Sequence, residues 1–300
     1  MRTGTRSTRT AKRTHRPARH RAVWLAEARR DQAVRRQGTR HGLVLTVMFA
    51  SMVAVAKAHA QESDTLDDKA LTVLLGPGVQ HMPAWIGAEN MRNQPVPFVY
   101  IDWPDHFTLS TVDGANLDLI GGPKLHGGLY GNYLWGRERN DLGPRLEGKI
   151  DTLSPRLQAG GYIEYQLSKP FSFGANLSHD TQGAGAYLNI YADLDLPKIG
   201  YMEHSVELQW QGMNGPAMRR FFGLTPAQAQ ALGVQPWSPT GGTQGLTFTY
   251  SAFIPTSVHT GFALSLEYTR LLGDAADSPL IREYGSADQL TTSLSFVWRM

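Results

Sequence analysis

The chain has 300 residues, 41% hydrophobic and 18% charged, with 31 glycines and no cysteine. That length allows a sizeable folded unit, and the missing cysteines exclude a disulfide framework, a cysteine metal site and a thiol nucleophile. The net charge of +3 conceals an asymmetry. Residues 1–60 carry 14 of the 29 basic and 2 of the 26 acidic residues, leaving 15 against 24 from residue 61 on, a net of −9. An acidic remainder disfavours a nucleic-acid partner.

In chain order, residues 1–34 are Arg/Thr-rich ("MRTGTRSTRTAKRTHRPARHR") and read as a disordered basic extension. They are either an over-long leader start or a start assigned too far upstream; an RNA-binding arm is the less favoured alternative. Residues 35–60 read as a secretory signal peptide. Arg35, Arg36 and Arg40 precede an uncharged apolar run, Leu43–Ala56, and then the small-x-small pattern Ala58–His59–Ala60. Cleavage after Ala60 makes Gln61 the first mature residue. The apolar run is 14 residues long, short of the ~20 that a membrane-spanning helix needs.

From Gln61 to Met300 the dominant signal is alternation. In "FSFGANLSH" Phe171, Phe173, Ala175 and Leu177 oppose Ser172, Gly174, Asn176 and Ser178. "AYLNIYADLDL", "YMEHSVELQW", "LTFTYSAFI" and "VHTGFALSLEY" repeat the pattern, with His204 and Phe253 each on the wrong side. Looser stretches, beginning with Leu71–Val79, bring the count near twelve. Tight links at 168–170, 197–200 and 255–257 alternate with longer ones at 137–160, 211–245 and 273–289, as in a meander of hairpins with one plain and one elaborated rim. One helix is predicted inside a long link, "TPAQAQALG": Thr225 caps it, Pro226 opens it, Gln228 completes a capping box and Gly233 ends it.

Alternation alone does not say which face is greasy toward what. A soluble exported sandwich turns its apolar set inward; a membrane barrel turns it to lipid and its polar set to a lumen. Export, strand lengths of ~9–11 residues suited to a tilted crossing, and the final strand favour the barrel. In lipid the sheet has to close, because an open edge strands backbone polar groups. The expected fold is therefore all-β: a closed antiparallel transmembrane β-barrel of about twelve strands over 61–300, both ends at the periplasmic rim, with one short helix in a long loop. The last strand places Leu294, Phe296, Trp298 and Met300 on its apolar face. It resembles the signal read by the outer-membrane assembly machinery, with Met300 standing where Phe or Trp is usual.

At "RRFFGLTPAQAQALGVQPWSPTGG" and "EYTRLLGDAADSPLIREYGSADQLTTSLSFVWRM" the chain resembles the MltA-interacting protein (MipA/OmpV) family. The matching pieces are Phe221–Phe222–Gly223, Gln228–Ala229, Gly241–Gly242, and Leu272 to Pro279 with Gly273, Asp274 and Ser278, followed by Gly285–Ser286. "LLGPGVQHMPAWIGAENMRNQPVPFVYIDW" and "WGRERND" add weaker matches, so the likeness covers most of 71–300; Trp85, where Tyr is common, and Met300 depart from it. The resemblance implies an outer-membrane barrel, not an enzyme. It further implies a scaffold between a lytic transglycosylase and a penicillin-binding protein of the cell wall, with outer-membrane lipid and lipopolysaccharide as surroundings.

Residue chemistry adds alternatives. The carboxylates Glu164, Asp193, Asp195, Glu203, Glu207 and Glu267 are expected to face the lumen, which suits either a small cation-preferring pore or any wet interior. Ser178 and His179 would be the candidates of a barrel hydrolase, but neighbours on a strand point to opposite faces. The ten histidines show no HxxxH or HExxH spacing, and neither a metal nor a cofactor is expected. Arg219–Arg220 suits either packing of a loop against the wall or contact with an anionic lipid.

Overall fold

The computed structural model describes residues 71–183 and 185–300. Ala58, Ala60, Gln61 and the rest of the expected leader lie outside the described residues. The strands are β1 (Thr72–Gly76), β2 (Gly78–Pro83), β3 (Met91–Pro95), β4 (Phe98–Trp103), β5 (Phe107–Ser110), β6 (Gly114–Gly121) and β7 (Leu125–Leu134). They continue as β8 (Arg156–Ser168), β9 (Phe171–Asp180), β10 (Ala186–Ile199), β11 (Met202–Met213), β12 (Gly242–Pro255), β13 (Thr260–Leu271) and β14 (Asp288–Arg299).

Every pairing is antiparallel, and β14 closes the ring against β1 and β2, with Leu75 opposite Trp298 and Val79 opposite Leu294. Pro77 splits the first wall strand into β1 and β2, and Val96–Pro97 splits the second into β3 and β4, so the segments make a closed barrel of 12 wall strands. Closure gives most of the wall's backbone groups a partner without water, which is what the hydrocarbon interior demands.

The faces fall as the alternation predicts. On β9, Phe173 is 45% and Leu177 60% exposed, while Ser172 is 1% and Asn176 5% exposed. Ile163, Ile190, Leu208, Phe248 and Leu294 repeat the outward display around the wall. A belt this apolar would be an aggregation surface in water; against acyl chains it is the solvated face.

The even strand count returns both ends of the wall to one rim. That plain rim carries the short links after β4, β6, β8, β10 and β12, such as Ile199–Met202. The opposite rim carries the long links and the helices α1 (Gly143–Leu146), α2 (Gly215–Phe222), α3 (Pro226–Leu232), α4 (Gly273–Asp277) and α5 (Pro279–Tyr284). Helix α3 is the predicted one, and the other four are additions. Its capping box is present, Thr225 Oγ1 accepting from the Gln228 N–H and Gln228 Oε1 from the Thr225 N–H, and Gly233 ends it at φ 72°.

The two sequence misfits have distinct fates. Phe253 turns into the lumen, where it forms a buried cluster with Leu74, Tyr100 and Val297 near the plain rim. Gly261 makes the room: a Cβ there would lie 2.4 Å from the Phe253 ring. His204 stays on the outer face, its Nε2 2.9 Å from the Pro197 carbonyl and its Nδ1 3.2 Å from the Tyr250 hydroxyl. Such polar-tipped rings suit the water–lipid boundary.

The wall is uneven. Strand β5 has four residues and pairs with Tyr100–Trp103, so Met91–Pro97 has no strand neighbour on that side. Val96 gives its N–H to Gly78, toward β2. Donors alternate sides along a strand, so Pro95 and Pro97 turn their nitrogens toward the gap. Proline carries no N–H, so neither of these two positions turns a donor toward the gap.

Candidate functional site at the capped rim and in the lumen

The largest apolar core lies in the long links, outside the wall. Trp85, Leu142, Leu146, Met218, Phe221, Phe222, Leu224, Leu280 and Ile281 come together from four separate links over one end of the barrel. Helix α2 begins where Asn214 Oδ1 accepts the Ala217 N–H, and the same oxygen accepts the Ala186 N–H at the head of β10. One side chain thereby caps a helix and ties it to the wall.

The motif residues are brought into contact here. Ser278, fully buried, donates its hydroxyl to the Phe222 carbonyl at 2.7 Å and accepts the Leu280 N–H at 3.2 Å, capping α5 just ahead of Pro279. Asp274 accepts from the Thr240 N–H at 3.1 Å, and its backbone carbonyl accepts the Trp237 indole N–H at 3.1 Å. Gly273 adopts φ 51° at the start of α4. Gly223 ends α2 where a Cβ would lie 2.4 Å from the Arg219 carbonyl. The motif residues so placed pack the cap together.

Four arginines fasten the cap. Arg137 is buried over the Trp85 ring and donates to the carbonyls of Asp151 and Phe221 at 3.1–3.3 Å. Burial pushes its guanidinium down to about 10, with the Asp151 charge opposing. Arg92 donates to both carboxylate oxygens of Asp141 at 3.0 Å, joining the free side of β3 to the link after β7. Arg220 donates to the Ser154 carbonyl at 2.7 Å and to Asp180 at 3.4 Å, while Arg219 reaches the Pro239 carbonyl at 3.4 Å. Of the two roles open to the arginine pair, the contacts made within the chain serve loop packing. Burial, then the neighbouring Arg156, holds the Arg220 guanidinium below its usual range.

Inside the wall, the register puts Glu164, Asp193, Asp195, Glu203, Glu207 and Glu267 on the side of the buried Ser172 and Asn176. Asp193 stands opposite both Ser172 and Glu207, and Thr249 separates Glu207 from Glu267. Glu164 accepts the Tyr191 hydroxyl at 3.1 Å, and Glu203 pairs with Lys198 at 2.6 Å. A space of about 40 Å³ lies between Tyr100, Tyr130, Tyr162, Glu164 and Asp193.

Ser178 and His179 point to opposite faces. Ser178 is buried and donates to Gln158 Oε1 at 2.8 Å; His179 is exposed, its Nδ1 2.8 Å from the Asp180 carbonyl. On β14, Leu294 and Trp298 are exposed on the outer face, and Phe296 packs edge-on to Trp298 with centroids 4.5 Å apart; Met300 follows that strand. Sequence reading missed the roles of Arg137, Arg156 and Asp180. The "WGR" of "WGRERND" was the available sign for the first; the partners of the other two are too distant along the chain.

A family model described as "MltA-interacting protein MipA" matches residues 75–300. Among solved structures, a "Bacterial polysaccharide outer membrane secretin" is 10% identical, with 77% of this chain and 99% of that one covered at a TM-score of 0.37. The "Translocator domain of autotransporter NalP from Neisseria meningitidis" is 9% identical, with 85% and 96% covered at 0.24. Likeness at that level says nothing further about this chain. No curated protein matches it.

Proposed function

The chain belongs to the MltA-interacting protein MipA family, and from that premise we propose that it is a non-conducting outer-membrane scaffold. The observation that carries this reading is apolar packing at both ends of the lumen. Phe253, Leu74, Tyr100 and Val297 crowd it near the plain rim, and the apolar core of the long links covers the other. A conducting pore needs a continuous wet path, so the interior carboxylates are read as the lining of a filled interior. Planar-bilayer recordings test this: the wild-type barrel gives no discrete conductance, and steady single-channel steps would refute it.

In barrels of this kind short turns face the periplasm and long loops the outside. The plain rim then faces the cell wall, where a lytic transglycosylase, the partner suggested by the family name, and a penicillin-binding protein would dock. Exposed apolar side chains ring that rim at Trp103, Ile199, Tyr201 and Val258, which suits a binding surface. The motif residues Phe222, Gly223, Gly273, Asp274, Ser278 and Pro279 serve the outer cap. Residues 35–60 act as the cleaved leader, and Leu294, Phe296, Trp298 and Met300 as the mark for the assembly machinery. A pulldown from detergent-solubilised envelopes decides the docking side. Tyr201→Asp with Val258→Asp is expected to lose captured wall enzymes and Trp237→Ala to retain them; the reverse outcome would place the contact on the cap.

A further inference from the structure

A cleft of about 260 Å³ opens on the capped rim between the link after β7, the end of β9 and the start of α2. Its wall includes Thr152, Ser154, Arg156, Asp180, Pro216 and Arg220. One carboxylate serves two guanidiniums there. Asp180 Oδ2 accepts from Arg156 Nη1 at 2.8 Å and from Arg220 Nη1 at 3.4 Å, while Oδ1 accepts the Gln182 N–H at 2.7 Å. The cluster keeps one positive charge in excess. It also holds three buried donors without an acceptor: the Nε groups of Arg156 and Arg220, and the hydroxyl of Tyr187, which packs beside Gly185 on the cleft wall. Buried donors are nearly always satisfied, so a second anionic group belongs near this cluster.

We propose that this cleft is an anion site that takes a phosphate group through the cleft-facing edges of Arg156 and Arg220. The planar guanidinium fork matches tetrahedral oxyanions in geometry as well as charge. At ~30 Å³ per water, the volume admits one such anion with several waters. Under the orientation above, the cleft opens at the outer rim, so the phosphate comes either from a phosphorylated glycolipid or from free solution. The site itself does not depend on the scaffold role.

The test follows the unfolding temperature of the refolded barrel in detergent. Inorganic phosphate is titrated against chloride at matched ionic strength, and then bisphosphorylated lipid A in mixed micelles. Arg156→Gln removes a guanidinium but also the shorter partner of Asp180. Thr152→Glu is therefore the cleaner variant, because it places a competing carboxylate at an exposed position and breaks no contact of the cluster. Phosphate is expected to raise the wild-type midpoint saturably, with binding weakened about tenfold or more in both variants, the size of a lost charge-assisted contact. Saturation by lipid A at lower phosphate concentration assigns the source to the leaflet; equal potency assigns it to the free anion. Phosphate acting no differently from chloride, or Thr152→Glu responding like wild type, overturns the proposal.

Discussion

The wall and the cap are built from the same apolar residue types turned opposite ways. Leu177 of the wall is among the most exposed leucines, whereas Leu280 of the cap is fully buried. The wall's apolar face meets acyl chains and its stability comes from a closed hydrogen-bond ladder. The cap has an ordinary water-excluding core assembled from four links. One chain thus folds by two rules, and the boundary between them runs along the ends of β7, β9, β11 and β13.

The comparison can be broken first at Phe222. Phe222→Ala leaves a cavity in a packed core and is expected to cost the cap about 3–5 kcal/mol. Limited proteolysis should then cut the long links while the heat-modifiable barrel band persists; a lost band would mean that cap and wall are one cooperative unit. Next comes the wall, where Leu177→Arg puts a charge against lipid and is expected to cost roughly 2–4 kcal/mol in urea titrations of vesicle-inserted protein. Arginine at the exposed cap position Gln230 should be nearly silent in the same assay. The smallest effect sharpens the cap alone: Thr225→Ala removes one half of the α3 capping box and is expected to cost about 1 kcal/mol, seen as faster amide exchange in Pro226–Leu232.

The two regions were unequally legible. A wall strand needs only its own alternation to declare itself, because each face meets one environment for its whole length. Even the exceptions were visible: Phe253 stood out as misplaced, and the structure turns it into the lumen. The split at Pro77 was signalled by the proline, yet the apolar run on either side hid it. Cap contacts carry no such local mark. Ser278 meets a carbonyl 56 residues away and Arg137 one 84 residues away. Helices α4 and α5, of five and six residues, are too short to display a 3.6-residue period. The helix that was legible, α3, announced itself through Thr225, Pro226, Gln228 and Gly233 at its two ends.

The direct test uses the absence of native cysteine. Single cysteines placed in turn at positions 172 to 178 carry a fluorophore in vesicle-inserted protein, and a lipid-dissolved quencher is added. The account predicts strong quenching at positions 173, 175 and 177 and weak quenching at 172, 174, 176 and 178. Quenching that is uniform, or strongest at the even positions, would contradict the assignment of the apolar face to lipid.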